Sequence, residues 1–379
     1  MNNPIYLDYN ATTPVAAEVV EAMLPYLTHH FGNPSSSHPY GKKAAEAVRD
    51  ARESIARLLG ATADEIVFTG SATEANNLAL LGVARALTGA KRHLVVTAVE
   101  HPAVLEPALY LQNEGWKLSV IPVDAYGRVD PAEVAAALRP DTALVSIMHA
   151  NNEVGTIQPV AEIAAITKVR GILLHTDAAQ SAGKISLDVD ALGVDLLTLA
   201  GHKFYAPKGV GVLYIRRGTP IAPIQFGAGQ EHGLRPGTEN VPQMVGLGAA
   251  ARLARERLPA ATEKLRSLRD ALHERLRAGV PGLMLNGHPG ERLPTTLNVS
   301  FPGISGRELL SRVAGRVAAS VGSACHSDND TVSGVLAAMG FDAGRAAGAV
   351  RLSVGWMTTP EEIEIAAAAL SEAANGTGS

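Results

Sequence analysis

Apolar positions recur at spacings of three and four through Ala44, Val48, Ala51, Ile55, Leu58 and Leu59, and Gly60 follows the last of them. That periodicity predicts an amphipathic helix over residues 41–60, stopped by the glycine. Beyond it, short apolar runs alternate with helix-like stretches. Ile66-Val67-Phe68, Leu94-Val95-Val96, Leu118-Ser119-Val120-Ile121, Leu144-Val145-Ser146-Ile147, Ile172-Leu173-Leu174 and Leu196-Leu197-Thr198-Leu199 read as strands. Residues 74–87, 103–113, 131–138 and 160–169 read as helices between them. Strands alternating with helices imply crossover connections, parallel pairing and a sheet covered on both faces. Val210-Gly211-Val212-Leu213-Tyr214-Ile215 adds a further strand, free to run antiparallel.

After about residue 255 the texture changes. Residues 245–278 are dense in Ala, Leu, Arg and Glu and predict long helices. The strand-like segments Leu297-Asn298-Val299-Ser300-Phe301, Val317-Ala318-Ala319-Ser320 and Val350-Arg351-Leu352-Ser353-Val354 follow, separated by helical pieces, and predict a smaller α/β domain. Asn375-Gly376-Thr377-Gly378-Ser379 reads as a flexible tail.

Composition narrows the function. The 379 residues are 46 % apolar and 18 % charged, which supports a sizeable core and excludes wholesale disorder. Lys and Arg number 33 against 37 Asp and Glu, a formal net charge of −4 that argues against a protein built to hold nucleic acid. Aromatic residues are 4 %, too few for a base-stacking platform. No apolar run approaches the ~20 residues of a membrane span, and the N-terminus lacks a basic region followed by an apolar one. A soluble cytoplasmic protein is therefore expected. The single cysteine, Cys325, excludes an internal disulfide and a cysteine-based zinc site, so no metal is expected, while chemistry at the thiol stays open.

In an open parallel sheet, ligands bind beyond the carboxyl ends of the strands. Thr69-Gly70-Ser71-Ala72-Thr73-Glu74 follows one strand and opens a helix, a place where small residues and free N–H groups suit a phosphate. Its plain reading is a tight turn with Thr73 as helix cap. Glu100-His101-Pro102 places a histidine at a second strand end, able to stack on a flat ring or move protons, or simply structural. Asn151-Asn152 follows a third strand and taken alone makes a turn. Asp177 follows a fourth, able to anchor a cation or to cap a helix. Ala200-Gly201-His202-Lys203 follows a fifth, and a lysine near buried strand ends is uncommon unless paired or carbonyl-reactive. Jointly these residues meet the needs of pyridoxal 5'-phosphate: a lysine for its aldehyde, an acid for its ring nitrogen and a cradle for its phosphate.

The segments Tyr6-Leu7-Asp8-Tyr9-Asn10-Ala11-Thr12-Thr13-Pro14, Phe31-Gly32-Asn33-Pro34-Ser35-Ser36, Ala72-Thr73-Glu74-Ala75-Asn76-Asn77, Asn151-Asn152-Glu153-Val154-Gly155, Asp177-Ala178-Ala179-Gln180 and Gly201-His202-Lys203 resemble the cysteine desulfurases, from residue 5 to about 366. These are pyridoxal-phosphate enzymes of the fold-type I, class V aminotransferase group. The resemblance implies an α/β fold with a large, mostly parallel seven-stranded sheet domain over 16–255. A smaller α/β domain, from 1–15 plus 256–379, would carry the catalytic cysteine loop. It implies that Lys203 is the Schiff-base lysine, that His101 stacks on the ring and transfers protons, and that Asp177 partners the ring nitrogen. Gln180 and Asn152 match the polar groups around the phenolic oxygen and the substrate, and Ala72, Thr73 and His202 match the phosphate site. Thr238 matches a threonine that reaches the phosphate of a neighbouring subunit, which implies a homodimer. Arg351 matches the clamp on the substrate carboxylate, with Asn33 and Asn152 beside it. Cys325, in a stretch of small and polar residues from Gly322 to Ser333, matches the nucleophile. The implied activity removes sulfur from L-cysteine, giving L-alanine and a persulfide on Cys325 for an acceptor protein, as in iron–sulfur cluster biogenesis.

Three positions depart from the family pattern. Ala200 stands where a serine often reaches the phosphate, Ser71 where glycine is common, and Trp356 where arginine is frequent. The segments Phe226-Gly227-Ala228-Gly229-Gln230-Glu231 and Ala324-Cys325-His326-Ser327-Asp328 also resemble the selenocysteine lyases of the same superfamily, so L-selenocysteine stays open as the substrate. An ordinary aminotransferase in which Cys325 is incidental, and a non-enzymatic protein keeping the fold, are the remaining readings.

Overall fold

The computed structural model describes residues 3–87, 89, 91–322 and 333–376. Strand β1 (Ile5–Tyr6) and helices α1 (Ala17–Thr28) and α2 (Pro39–Leu59) open the chain. Strands and helices then alternate through β2 (Ile66–Thr69), α3 (Ala72–Ala86), β3 (His93–Thr97), α4 (Pro102–Asn113), β4 (Lys117–Ile121), α5 (Pro131–Ala137), β5 (Thr142–Ser146), α6 (Val160–Val169), β6 (Leu173–Asp177), α7 (Val189–Leu192), β7 (Leu196–Ala200) and β8 (Gly211–Ile215). The long α8 (Val241–Gly279) leads to β9 (Met284–Asn286), β10 (Thr296–Ser300), α9 (Gly306–Arg312), β11 (Val317–Ala318), α10 (Gly334–Ala338), α11 (Ala343–Ala347), β12 (Ala349–Ser353) and α12 (Pro360–Ala374).

The large sheet has seven strands in the order β2-β8-β7-β6-β5-β3-β4. Only β8 runs against its neighbours β2 and β7; the pairs from β7 to β4 are parallel. This is the expected α/β architecture with a mostly parallel sheet. Adjacent residues of β2, β7 and β8 enter opposite cores: Phe68, Leu197 and Val212 pack on one face, Val67, Leu196 and Leu213 on the other. Burial on both faces is why these strands read as unbroken apolar runs. Helix α2 ends as its periodicity predicts, with Gly60 left-handed at φ 68°.

Strand β6 differs from its expected range. The apolar run stops at Leu174, yet the strand continues through His175 and Thr176 to Asp177. The polar side chains are satisfied inside the sheet. His175 Nδ1 lies 2.8 Å from Ser146 Oγ on β5, its Nε2 lies 3.1 Å from Thr198 Oγ1 on β7, and Thr176 Oγ1 donates to Ile147 O at 2.8 Å. Burial pushes the His175 ring down to about 3, so it is neutral and acts as a rivet across three strands.

A second core gathers Leu7, Leu297, Val299, Leu352, Ile363 and Leu370 around the antiparallel sheet β12-β10-β9. The chain start joins it, because β1 pairs in parallel with β11. The region expected to hold several long helices holds one, the 39-residue α8. Leu247 and Ala250 of that helix pack in the first core, Leu265 and Leu272 in the second. Trp356 touches both cores and stacks on Tyr205 at 3.8 Å and 15°. Among the described residues no helix is long and apolar enough to cross a membrane.

Because β8 is reversed, its first residue lies at the same sheet edge as the carboxyl ends of the other strands. There Gly211 lets β8 pass the start of α3: a Cβ would sit 2.6 Å from Ser71 C and 2.9 Å from Ala72 N. Both neighbours are backbone and cannot swing aside. Gly211→Ala is therefore expected to destabilise the protein by about 1–3 kcal/mol, the usual cost of overpacking, read as a lower urea midpoint at unchanged slope.

Candidate active site

Five strand ends meet at this edge. Lys203 sits in the single turn after β7, where its Nζ donates to the carbonyl oxygens of Asn10 and Ala11, both at 2.8 Å. Asp177 closes the adjacent strand β6. Its Oδ2 accepts from Asn76 Nδ2 at 2.7 Å and its Oδ1 from Ala179 N at 2.9 Å. A carboxylate offers about four acceptor positions, so capacity remains for a further donor. Asn76 is fully buried in α3, and its Oδ1 has no partner among the described residues.

Helix α3 starts two residues earlier than the sequence suggests, and Ser71 rather than Thr73 caps it, accepting from Glu74 N at 3.1 Å. The N–H groups of Ala72 and Thr73 are thereby left at the open, positive end of the helix, and Thr73 is exposed. Glu74 folds back to accept from Gly70 N at 2.7 Å and from Arg235 Nε at 3.0 Å, which ties the loop that carries Thr238 to this helix start. His202 lies across from it, its Nδ1 3.2 Å from Thr12 Oγ1. Burial, then the cations of Lys203, Lys208 and Lys184, push this ring down to about 4 and keep it neutral.

His101 caps α4: its Nδ1 accepts from Ala103 N at 3.1 Å, which in the neutral ring leaves the proton on Nε2. A cavity of about 960 Å³ between α3 and α4 is lined by Thr73, Asn77, His101 and Tyr110, among others. Asp177 and Lys203 do not line it, so the cavity alone does not mark the reacting centre. Of the two adjacent asparagines, Asn151 makes the turn, its Oδ1 accepting from Glu153 N and Val154 N. Asn152 is half-buried and lends its carbonyl to Asn10 Nδ2 and to Arg351 Nη1, each at 3.2 Å. Arg351 is buried on β12 and pairs with Asp8 at 2.8 Å.

Two expected residues stand apart. Asn33 turns its side chain back to Ser35 N at 2.9 Å in an exposed loop, and Thr238 is exposed. Neither joins the hydrogen-bonded group around Lys203 among the described residues. Cys325 lies outside the described residues. Residues with no assigned role in the sequence reading emerge instead. Asn10 is one: its carbonyl oxygen serves Lys203 and, at 3.0 Å, Gln180 Nε2, while its side chain reaches Thr296 Oγ1 at 2.9 Å. Lys184 is another, bonded to Gln180 Oε1 at 2.7 Å. Asn10 stood within a quoted motif; Lys184, seven residues past the strand-end aspartate, carried no distinguishing signal.

Residues 5–365 match the Aminotransferase class-V family. The chain belongs to that family. Within it, the chain is similar to a protein named "Cysteine desulfurase IscS" from Dictyoglomus turgidum, 46 % identical over 96 % of this chain and 92 % of that one. Among solved structures it superposes on "NIFS-LIKE PROTEIN" with a TM-score of 0.92, 40 % identity and coverage of 97 % and 98 %. It also superposes on "SspA in complex with cysteine" with a TM-score of 0.82, 38 % identity and coverage of 92 % and 98 %.

Glu100 lies beneath this site. It is buried, its Oε1 accepts from Thr97 Oγ1 at 2.6 Å and Met148 N at 2.9 Å, and its Oε2 has no partner among the described residues. Burial, with Asp177 adding to it, raises its carboxyl from 4.5 to about 8. The folded protein thus keeps a proton that the unfolded chain releases, so this group's contribution to stability is full below pH 4.5 and is lost as pH rises toward 8. Glu100→Gln keeps the acceptor and removes the titration. Its stability relative to wild type is expected to improve with pH across that range, by no more than about 1.4 kcal/mol per pH unit, in urea melts at pH 5, 6.5 and 8.

Proposed function

We propose that the chain is a cysteine desulfurase that holds pyridoxal 5'-phosphate on Lys203, takes sulfur from L-cysteine to leave L-alanine, and carries the sulfur as a persulfide on Cys325. The observation that carries the reading is the convergence of Lys203, Asp177 and the open start of α3 at one sheet edge. The residues present fit the cofactor. Asp177 has acceptor capacity to spare, Asn76 keeps beside it a buried oxygen with no partner among the described residues, and the helix start with Gly211 behind it forms a cradle for a phosphate.

When bound, pyridoxal phosphate supplies an aldehyde carbon for amines and a ring that takes up the electron pair released at the substrate Cα. Asp177 holds the proton on the ring nitrogen, an attraction of a few kcal/mol, on the order expected at an effective dielectric near 20. Ala72 and Thr73 hold the phosphate with His202, and Thr238 reaches the phosphate of a neighbouring subunit in a homodimer. His101, with Nδ1 committed to Ala103 N, stacks on the ring and moves a proton at Nε2. Lys203, whose Nζ donates to the carbonyls of Asn10 and Ala11, would hold the cofactor and would serve as the base for the Cα proton. Arg351 exchanges Asp8 for the substrate carboxylate beside Asn152, and Asn33 turns from Ser35 N to complete that end. The Cys325 thiolate attacks the substrate sulfur. An S–S bond forms as the Cβ–S bond breaks, and the electron pair left on carbon is protonated on the way to alanine. The persulfide passes to an acceptor protein in the cytoplasm, with iron–sulfur cluster assembly as a destination.

Sulfur-labelled cysteine is expected to yield alanine and one labelled sulfur on Cys325, and borohydride is expected to fix the cofactor on Lys203. Cys325→Ala should lose at least about a thousandfold in alanine formation, as removal of a nucleophile does elsewhere. Retained turnover of selenocysteine by that variant, with wild type preferring selenocysteine, would instead identify a selenocysteine lyase. Arg351→Lys replaces a two-pronged donor by a point charge. It should raise KM for cysteine about tenfold while leaving kcat within a few-fold, in steady-state assays, the split expected when ground-state binding is lost.

A further inference from the structure

Lys184 is a buried amine that the proposed chemistry leaves unused. It follows a left-handed turn at Gly183 (φ 69°), and its backbone is pinned from both sides: its N–H donates to Ser181 O at 3.1 Å, and its carbonyl accepts from Thr262 Oγ1 of α8 at 3.0 Å. The side chain is 5 % exposed. Nζ donates to Gln180 Oε1 at 2.7 Å and lies 3.4 Å from Asn10 Oδ1. Lys184 and Lys203 line one cavity of about 10 Å³, at the lower limit for a single water. The charged groups acting on Lys184 are Lys203 from the end of β7 and Arg351 from β12; with burial they hold its amine well below its ordinary range.

The Asn10 carbonyl only accepts, the Lys184 amine donates at 2.7 Å, and an amide has one accepting and one donating end. Gln180 Oε1 must therefore face Lys184. Its Nε2 faces the other way, giving one hydrogen to Asn10 O at 3.0 Å and keeping a second to give. A flipped amide would set oxygen against the Asn10 carbonyl, a repulsive contact in a buried place, and would forfeit the hydrogen bond that Lys184 donates.

We propose that Lys184 is a positioning residue: its bond to Gln180 Oε1 locks that amide so that an N–H, not a carbonyl, is presented to the phenolic oxygen of the bound cofactor. The inference rests on the reading of Gln180 as the neighbour of that oxygen. A donor there favours the ionised form of the oxygen, so the lock governs both cofactor affinity and the pH at which the enzyme's visible absorption band changes.

The test uses the full-length protein, with borohydride fixation on Lys203 of the wild type as the control for the cofactor reading itself; no fixation there overturns that reading rather than this one. Lys184→Met preserves chain length and removes the donor. It is expected to bind pyridoxal phosphate about tenfold more weakly in absorbance titrations, the loss of about one hydrogen bond. The pH midpoint of its visible band should also move by about one unit. Gln180→Ala should shift both readouts as far, and the double variant Lys184→Met with Gln180→Ala no further, because both act through one amide. A wild-type midpoint and affinity in Lys184→Met, or losses that multiply in the double variant, would overturn the proposal. Lys184→Leu, equally without a donor, is read in the same way should Lys184→Met not fold.

Discussion

Asn10 is the joint on which the active edge depends. It is almost fully buried, and all of its polar groups are engaged: the carbonyl by Lys203 and Gln180, the side-chain amide by Asn152 and Thr296, the side-chain oxygen by Lys184, the backbone N–H by Ser353. Those partners belong to the ends of β6 and β7, the loop after β5, and strands β10 and β12. One residue from the start of the chain thus sets the distance between the large sheet and the second core. A buried network of this kind is stable only when every member is satisfied, so its geometry tolerates little drift.

Around that joint, the sheet delivers chemistry by direction alone. Strands that run the same way put their last residues at one edge, and the single reversed strand contributes its first residue there, where the missing side chain of Gly211 admits the start of α3. Deep burial behind the edge then sorts the titratable groups. His175 and His202 are held neutral, Glu100 is held protonated, and the amines of Lys184 and Lys203 crowd one another. The polarity of the site is therefore set mainly by orientation of hydrogen-bond donors and less by fixed charge.

Much of this was readable from the chain. The periodicity of residues 41–60, the apolar runs of β2, β3 and β7, and the placement of Lys203 and Asp177 after strands all carry local signals that survive folding. What stayed hidden is polar and non-local. The second half of β6 has no apolar signature because His175 and Thr176 are satisfied by neighbouring strands. Strand β9 is short, and Met284 on it is exposed. Asn10 and Lys184 gain their importance from partners up to hundreds of residues away, which spacing cannot register. Trp356, which departs from the family's usual arginine, has a local account: its ring stacks on Tyr205, two residues beyond Lys203, and its backbone N–H donates to Tyr205 Oη at 2.6 Å.

Helix α8 carries a mechanical implication. Its 39 residues make a rod roughly 58 Å long at about 1.5 Å rise per residue, with one end embedded in each core. Pro259 lacks an N–H and so drops one rung of the ladder between the two embedded lengths. Any rocking of one lobe against the other must flex this shaft, and the flexure concentrates at the missing rung. The same rod therefore ties the two cores together, and its weakest rung lies between them.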